Sequence, residues 1–273
     1  MKPAMWTAFF YDKSPEDTLR LLSERDWRYA ELSSEDSFVL LDRGDPDRTG
    51  AEFRSVAEGL GVSVLQGHLW LICDIACEEQ QFVVDQLKRW LDLYLAIGIQ
   101  AAVLHPGGTE LRQKKAEPKR ILDTQARALR ELCAHVKGAD LWVCLENMAD
   151  QQANDLLKII DATECGNLGI CLDTGHLNLI PGDQGLFIRT AGRLLKATHI
   201  ADNDTSHDQH LMPYARGTVD WVEVVGALKE IRYDGLFNFE IPGENRCPLA
   251  VRQAKLDYLK AIMPVLLRER EGD

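Results

Sequence analysis

Apolar and polar positions along the chain follow two rhythms. Short apolar runs of about five residues alternate with longer stretches in which apolar residues return every third or fourth place. The short runs read as buried parallel strands and the longer stretches as amphipathic helices. Residues 5–10 read as a first strand. Ser14 then caps a helix with Pro15 at its first position and Glu16 and Asp17 in its first turn, where the helix dipole favours acids. Residues 28–32 predict a second strand, and 51–60 a helix stopped by Gly61. The third strand covers 62–68. The helix that follows, 78–97, carries Leu87, Trp90, Leu91, Tyr94 and Leu95 on one face and ends at Gly98. Strand four ends at His105, with a helix over 118–136 closed by Gly138. Strand five ends at Glu146, with a helix over 154–160; strand six runs from Gly169 into Asp173, with a helix over 185–195. Strand seven ends at His199, and a longer polar loop leads to a helix over 221–231. Strand eight ends at Glu240, and 249–267 forms a final helix.

Eight strand–helix units in strict alternation suit a (β/α)8 TIM barrel, and no Gly-rich nucleotide turn follows strand one to favour an open doubly wound sheet. The 273 residues match the usual length of one such barrel, and no linker or shift in composition divides them, so residues 1–273 are expected to form a single domain. A formal net charge of −12 argues against a protein that grips a phosphate backbone, so nucleic acid is not the expected partner. No run approaches the roughly 18 apolar residues of a membrane span, and the first eleven residues lack the pattern of a signal peptide. Seven cysteines, an odd number with no C-x-x-C pair, point to reduced thiols and a cytoplasmic protein. No sequence feature fixes the oligomeric state, and a homo-oligomer is compatible with the chain.

The chemistry lies at the strand ends. Glu146, Asp173, His199 and Glu240 terminate strands five to eight, which are consecutive staves of the expected barrel. Adjacent strands lie about 4.8 Å apart, so four such tips can converge on one cation. Carboxylates plus one imidazole suit a single divalent ion, Mn²⁺, Co²⁺, Mg²⁺ or Zn²⁺. Taken singly, each residue reads equally as a helix cap or a backbone-bonded histidine; their recurrence on four successive strands is the signal. His68, His105, His176, Asp208 and His210 ring the same mouth as further metal or substrate ligands. Five of the seven histidines therefore fall on one rim, leaving His135 and His207 as surface residues. Arg216 is a candidate clamp for a substrate phosphate or hydroxyl. Trp70 is a candidate wall for a sugar face, and Glu31 either touches substrate or caps a helix. The basic group Arg112, Lys114, Lys115, Lys119 and Arg120 could bind a substrate phosphate or a nucleic acid, but reads more simply as a solvated loop and first helical turn balanced by Glu110 and Glu117.

The motifs Leu104-His105-Pro106-Gly107, Leu145-Glu146-Asn147, Leu172-Asp173-Thr174-Gly175-His176, Thr198-His199-Ile200-Ala201-Asp202, Asp208-x-His210 and Phe239-Glu240 together resemble the xylose-isomerase-like TIM-barrel superfamily. That superfamily holds sugar and sugar-phosphate isomerases and epimerases, and also apurinic (AP) endonucleases of the endonuclease IV type. The resemblance implies one divalent metal on Glu146, Asp173, His199 and Glu240, polarising a carbonyl and stabilising an enediolate. Glu146 and Glu240 would then act as the proton-transferring pair on a small sugar or sugar phosphate, an isomerase or epimerase of carbohydrate metabolism. The endonuclease branch implies a rival: a trinuclear zinc phosphodiesterase using all nine residues, with up to three Zn²⁺. The acidic charge and the absence of wedge-forming loops for bent DNA disfavour it. The same residues would also serve a barrel that binds a sugar without turnover, or a dehydratase that shares the enediolate.

Overall fold

The computed structural model describes residues 1–267. Its eight strands are β1 (Lys2–Trp6), β2 (Tyr29–Leu32), β3 (Ser63–His68), β4 (Ala101–Leu104), β5 (Trp142–Glu146), β6 (Leu168–Asp173), β7 (Leu195–His199) and β8 (Leu236–Phe239). β1 to β7 pair in parallel, each with its chain neighbour, and β8 pairs in parallel with β1. The last seam closes just above β7 and β8. Ile200 N donates to Asn238 O at 2.7 Å, and Glu240 N donates to Ile200 O at 3.2 Å. The Thr198 hydroxyl bridges the same seam, donating to Leu236 O and accepting from Asn238 N. The eight-stranded barrel expected from the alternation is thus the observed fold.

Outer helices follow the strands in turn: Pro15–Ser23, Pro46–Gly59, Gln80–Ile97, Pro118–His135, Ala153–Thr163, Gln184–Ala191, Trp221–Glu230 and Leu249–Leu266. Ser14 caps the first, accepting from Asp17 N, and Gly98 ends the third with φ of +93°, a conformation a side chain would resist. Three short helices, Ser34–Leu41, Thr109–Gln113 and Thr174–Asn178, are additional to the expectation. The first strand also differs, because Thr7–Phe10 leaves the sheet as a 3-10 turn. All four of those residues are buried, so their apolar run carries no alternation to mark where the strand stops.

The main core lies between sheet and helices. Inside the barrel a separate buried group, Ala101, Val103, Cys144, Cys171 and Ala197, fills the lower half with small side chains. Strand side chains alternate with a period of two, so the residues two places beyond Cys144, Cys171 and Ala197 share that inward face. They are Glu146, Asp173 and His199. One glycine matters to this rim: a Cβ on Gly67 would come within 2.8 Å of the Tyr94 ring, whose hydroxyl donates to His68 O at 2.6 Å.

Helix Ser34–Leu41 buries Asp36 in its first turn. Burial pushes its carboxyl up to about 6, with Glu35 and Glu16 adding like charge. Between the unfolded value near 4 and this folded value, the folded protein holds the extra proton, so the residue's contribution to stability falls as pH rises through that window. Asp36→Asn is expected to flatten the pH dependence of the urea midpoint between pH 4 and 7 and to stabilise the protein at pH 7 by about 1–3 kcal/mol. A variant no more stable than wild type at pH 7 contradicts this.

Candidate metal centre

One donor atom from each of Glu146, Asp173, His199 and Glu240 lies within 4.8 Å of the other three, and all four residues are buried. His199 Nδ1 sits at the centre, 3.1 Å from Glu146 Oε1, 3.3 Å from Glu240 Oε2 and 4.0 Å from Asp173 Oδ2. Asp173 Oδ1 accepts from His176 N at 2.7 Å, while its Oδ2 is buried without a hydrogen-bond partner. An orphaned carboxylate oxygen aimed into a cluster of anionic donors is costly unless a cation offsets it, and the oxygen–imidazole set fits a divalent ion.

The remaining rim residues extend the cluster on both sides. His68 Nε2 and His105 Nε2 lie 3.2 and 3.4 Å from Glu146 Oε2. His176 Nε2 and His210 Nε2 lie 3.2 and 3.0 Å from Asp208 Oδ2. Four of the five histidines also have their other ring nitrogen tied down. His68 Nδ1 donates to Leu69 O, His176 Nδ1 to Asn147 O and His210 Nδ1 to Glu240 O, at 2.7, 2.9 and 2.7 Å. His199 Nε2 donates to Glu31 Oε1 at 2.9 Å. Each ring is therefore held with its second nitrogen toward the carboxylates, the usual orientation of a metal-binding histidine.

The electrostatics are those of a buried cluster of opposite charges. Burial pushes the Glu240 carboxyl up to about 7 against the pull of His199 and His210, and it also raises Asp173. Burial opposes ionisation of Glu146 too, but His199, His105 and His68 together outweigh it and hold that carboxyl well below the usual range. Burial disfavours a charged His176, yet Asp173, Asp208 and Glu146 raise it to about 11; His210 is raised to about 10, chiefly by Asp208 against burial. Protons on imidazoles and a metal ion are competing counter-charges for the same carboxylates.

Local sequence explains the placement. Asn147, fully buried, pairs its amide with both backbone groups of Asp173 and so fixes the spacing of the β5 and β6 tips. Asp202 anchors the loop that carries Asp208 and His210, accepting from Asn203 N, Val219 N and Trp221 Nε1. Gly217 packs so closely on Asp202 that a side chain there would clash. Asp74 joins the loop after β3 to the one after β4, accepting from Gly108 N and Glu110 N.

Other candidates fall outside the four-donor cluster. Arg216 is exposed, its charge acting on Asp204. Trp70 is half-buried and edge-on to Phe38 at 6.1 Å. Glu31 caps no helix; Ser33 does that, and Glu31 instead reaches His199 and Asn238. Of the basic residues after β4, Lys114 pairs with Glu78 and Glu110, and Lys119 with Asp123. His135 pairs with Asp92, and His207 is exposed beside Ser206.

A family model described as "Xylose isomerase-like TIM barrel" matches residues 19–262. Among curated proteins, an uncharacterised protein of Sinorhizobium fredii is 31% identical over 170 residues, 60% of this chain and 54% of that one. A D-psicose 3-epimerase of Ruminiclostridium cellulolyticum is 27% identical over 200 residues, 67% of this chain and 65% of that one. A "Probable endonuclease 4" of Nitratidesulfovibrio vulgaris is 36% identical over 100 residues, 34% of each chain. The match therefore spans about half to two thirds of the length of the first two relatives. Among solved structures, D-psicose 3-epimerase with D-tagatose from Clostridium cellulolyticum has a TM-score of 0.83 at 15% identity, covering 98% of this chain and 100% of that one. At that identity the likeness is one of fold. No helix among the described residues is long and apolar enough to cross a membrane.

Proposed function

The chain belongs to the xylose isomerase-like TIM-barrel family, and from that premise we propose that it is a divalent-metal-dependent isomerase or epimerase of a small sugar or sugar phosphate. The observation that carries this reading is the meeting of Glu146 and Glu240 at one imidazole nitrogen, beside the unpartnered oxygen of Asp173. When bound by Glu146, Asp173, His199 and Glu240, a divalent ion supplies the positive charge that stabilises an enediolate. Glu146 takes a proton from the carbon beside the carbonyl. In an epimerisation Glu240 returns one to the opposite face of that carbon; in an isomerisation it returns one to the former carbonyl carbon, and the hydroxyl proton also passes to the neighbouring oxygen. His176, with Nδ1 tied to Asn147 O, offers Nε2 to a substrate oxygen or a further ion. Trp70 serves as an apolar wall beside His68, and Arg216 as a charge that meets a substrate phosphate at the rim.

The test is proton NMR of ketohexoses, ketopentoses and their phosphates with Mn²⁺-loaded protein in D₂O. Deuterium is expected at a carbon beside the carbonyl, together with a product of unchanged composition. Loss of water would assign a dehydratase. Binding without exchange would assign a non-catalytic barrel.

A second reading has its own observation: His68 and His105 flank Glu146 Oε2, and His176 and His210 flank Asp208 Oδ2. These are the makings of a trinuclear zinc site in an AP endonuclease-like phosphodiesterase. Close to three zinc ions per chain, with nicking of abasic-site DNA, would establish it and displace the first reading. The net charge of −12 works against a DNA substrate.

A further inference from the structure

We propose that Glu31 is a positioning residue for the metal centre: from across the barrel it fixes His199 in the tautomer whose Nδ1 lone pair faces Glu146, Asp173 and Glu240. This rests on the metal-centre reading above and extends it. Glu31 is fully buried, with Oε1 2.9 Å from His199 Nε2. Its strand, β2, is separated from β7 by β1 and β8, so the contact spans the inside of the barrel. A carboxylate only accepts hydrogen bonds, so Glu31 keeps a hydrogen on Nε2; Glu146 faces Nδ1 in the same way, and a cation among Glu146, Asp173 and Glu240 takes the place of the hydrogen there. Asn238 on β8 donates its amide to Glu31 Oε2 and sets the plane of the carboxylate.

His199 is also unlike the other tethered rings. His68, His176 and His210 lean on main-chain carbonyls, which hold a tautomer without contributing a full charge. His199 leans on a carboxylate, and a charged acceptor makes the opposite nitrogen the stronger donor. Among the described residues no Lys or Arg pairs with Glu31; His199 is its one ionic partner. A buried carboxylate held by a single imidazole is costly as a packing element. Its geometry instead suits a chain of Asn238, Glu31, His199 and cation drawn from three strands.

Glu31→Gln tests the role of the charge. The variant keeps the shape and an acceptor oxygen for His199 Nε2, and Asn238, whose Oδ1 has no partner, can turn its amide to match. The dissociation constant for Mn²⁺, read from the free-ion EPR signal, is expected to rise by roughly 10–100-fold. The thermal midpoint of the metal-free protein should stay close to wild type, and the visible absorption of the Co²⁺-loaded form should shift. Equal Mn²⁺ affinity and an unchanged Co²⁺ spectrum would overturn the proposal. Should that variant fail to fold, Asn238→Ala leaves Glu31 and all four donors in place. Weaker Mn²⁺ binding by it supports the role, and wild-type affinity overturns it. A wild-type protein that takes up neither Mn²⁺, Co²⁺ nor Zn²⁺ would sink the metal-centre reading itself, an outcome distinct from equal, measurable affinities in the two proteins.

Discussion

Glu146→Gln is expected to lower turnover in the D₂O assay by about 10³-fold or more, since a positioned acid or base contributes roughly 10²–10⁴ and this residue is also a proposed ligand. Its two oxygens are shared among His68, His105, His176 and His199. An amide in that place offers one acceptor where the site presents several donors, so both proton transfer and ion binding suffer. Glu240→Gln, also a change at a proposed ligand, distinguishes the two proton-transfer roles when assayed at saturating Mn²⁺. If each glutamate serves its own face of the substrate carbon, this variant still exchanges label from one epimer while forming almost none of the other. Product formation by Glu240→Gln at the wild-type rate would remove Glu240 from the chemistry.

The second large effect concerns Asp173. Asp173→Asn keeps an oxygen to accept from His176 N, but it replaces the buried oxygen that has no partner. Changing a neighbour of a metal ligand costs 10–100-fold in affinity, so losing a ligand is expected to weaken Mn²⁺ binding by more than ~100-fold. The same change removes a buried carboxylate whose Oδ2 has no hydrogen-bond partner, and the metal-free variant should be more stable than metal-free wild type by about 1–3 kcal/mol. Melting curves with and without Mn²⁺ check both halves. Wild type gains with the ion by mass action, whereas the variant starts higher and does not move. A metal-free variant that melts below wild type would show that Asp173 serves packing instead.

Much of this was legible along the chain because a barrel turns local signals into global ones. Each of β5 to β8 runs apolar and stops on, or one residue before, a His or carboxylate, and closure alone brings those tips together. Helix Gln80–Ile97 was readable for a similar reason, its apolar stripe ending on Gly98. Thr7–Phe10 misleads because every residue in it is apolar or small and buried, so the chain can leave the sheet without changing its pattern. Helix Ser34–Leu41 begins with a recognisable cap, Ser33 with Glu35 and Asp36, but lies where one strand–helix unit needs only a single helix. The Glu31–His199 contact joins residues 168 apart, and the side chain of Asn238 completes it 207 residues from Glu31. No local periodicity reports a partner across the lumen. The roles of Asp74 and Asp202 are similar, since each binds backbone of a loop other than its own or further along it.

The outward nitrogens of His68, His176, His199 and His210 are anchored to protein atoms, so these four imidazoles are expected to keep their orientation with and without a cation. Loading then needs no refolding step. Brief acidification followed by dialysis against a different salt should exchange Mn²⁺ for Co²⁺ or Zn²⁺ in one preparation, making a single batch of protein a series of interchangeable spectroscopic species.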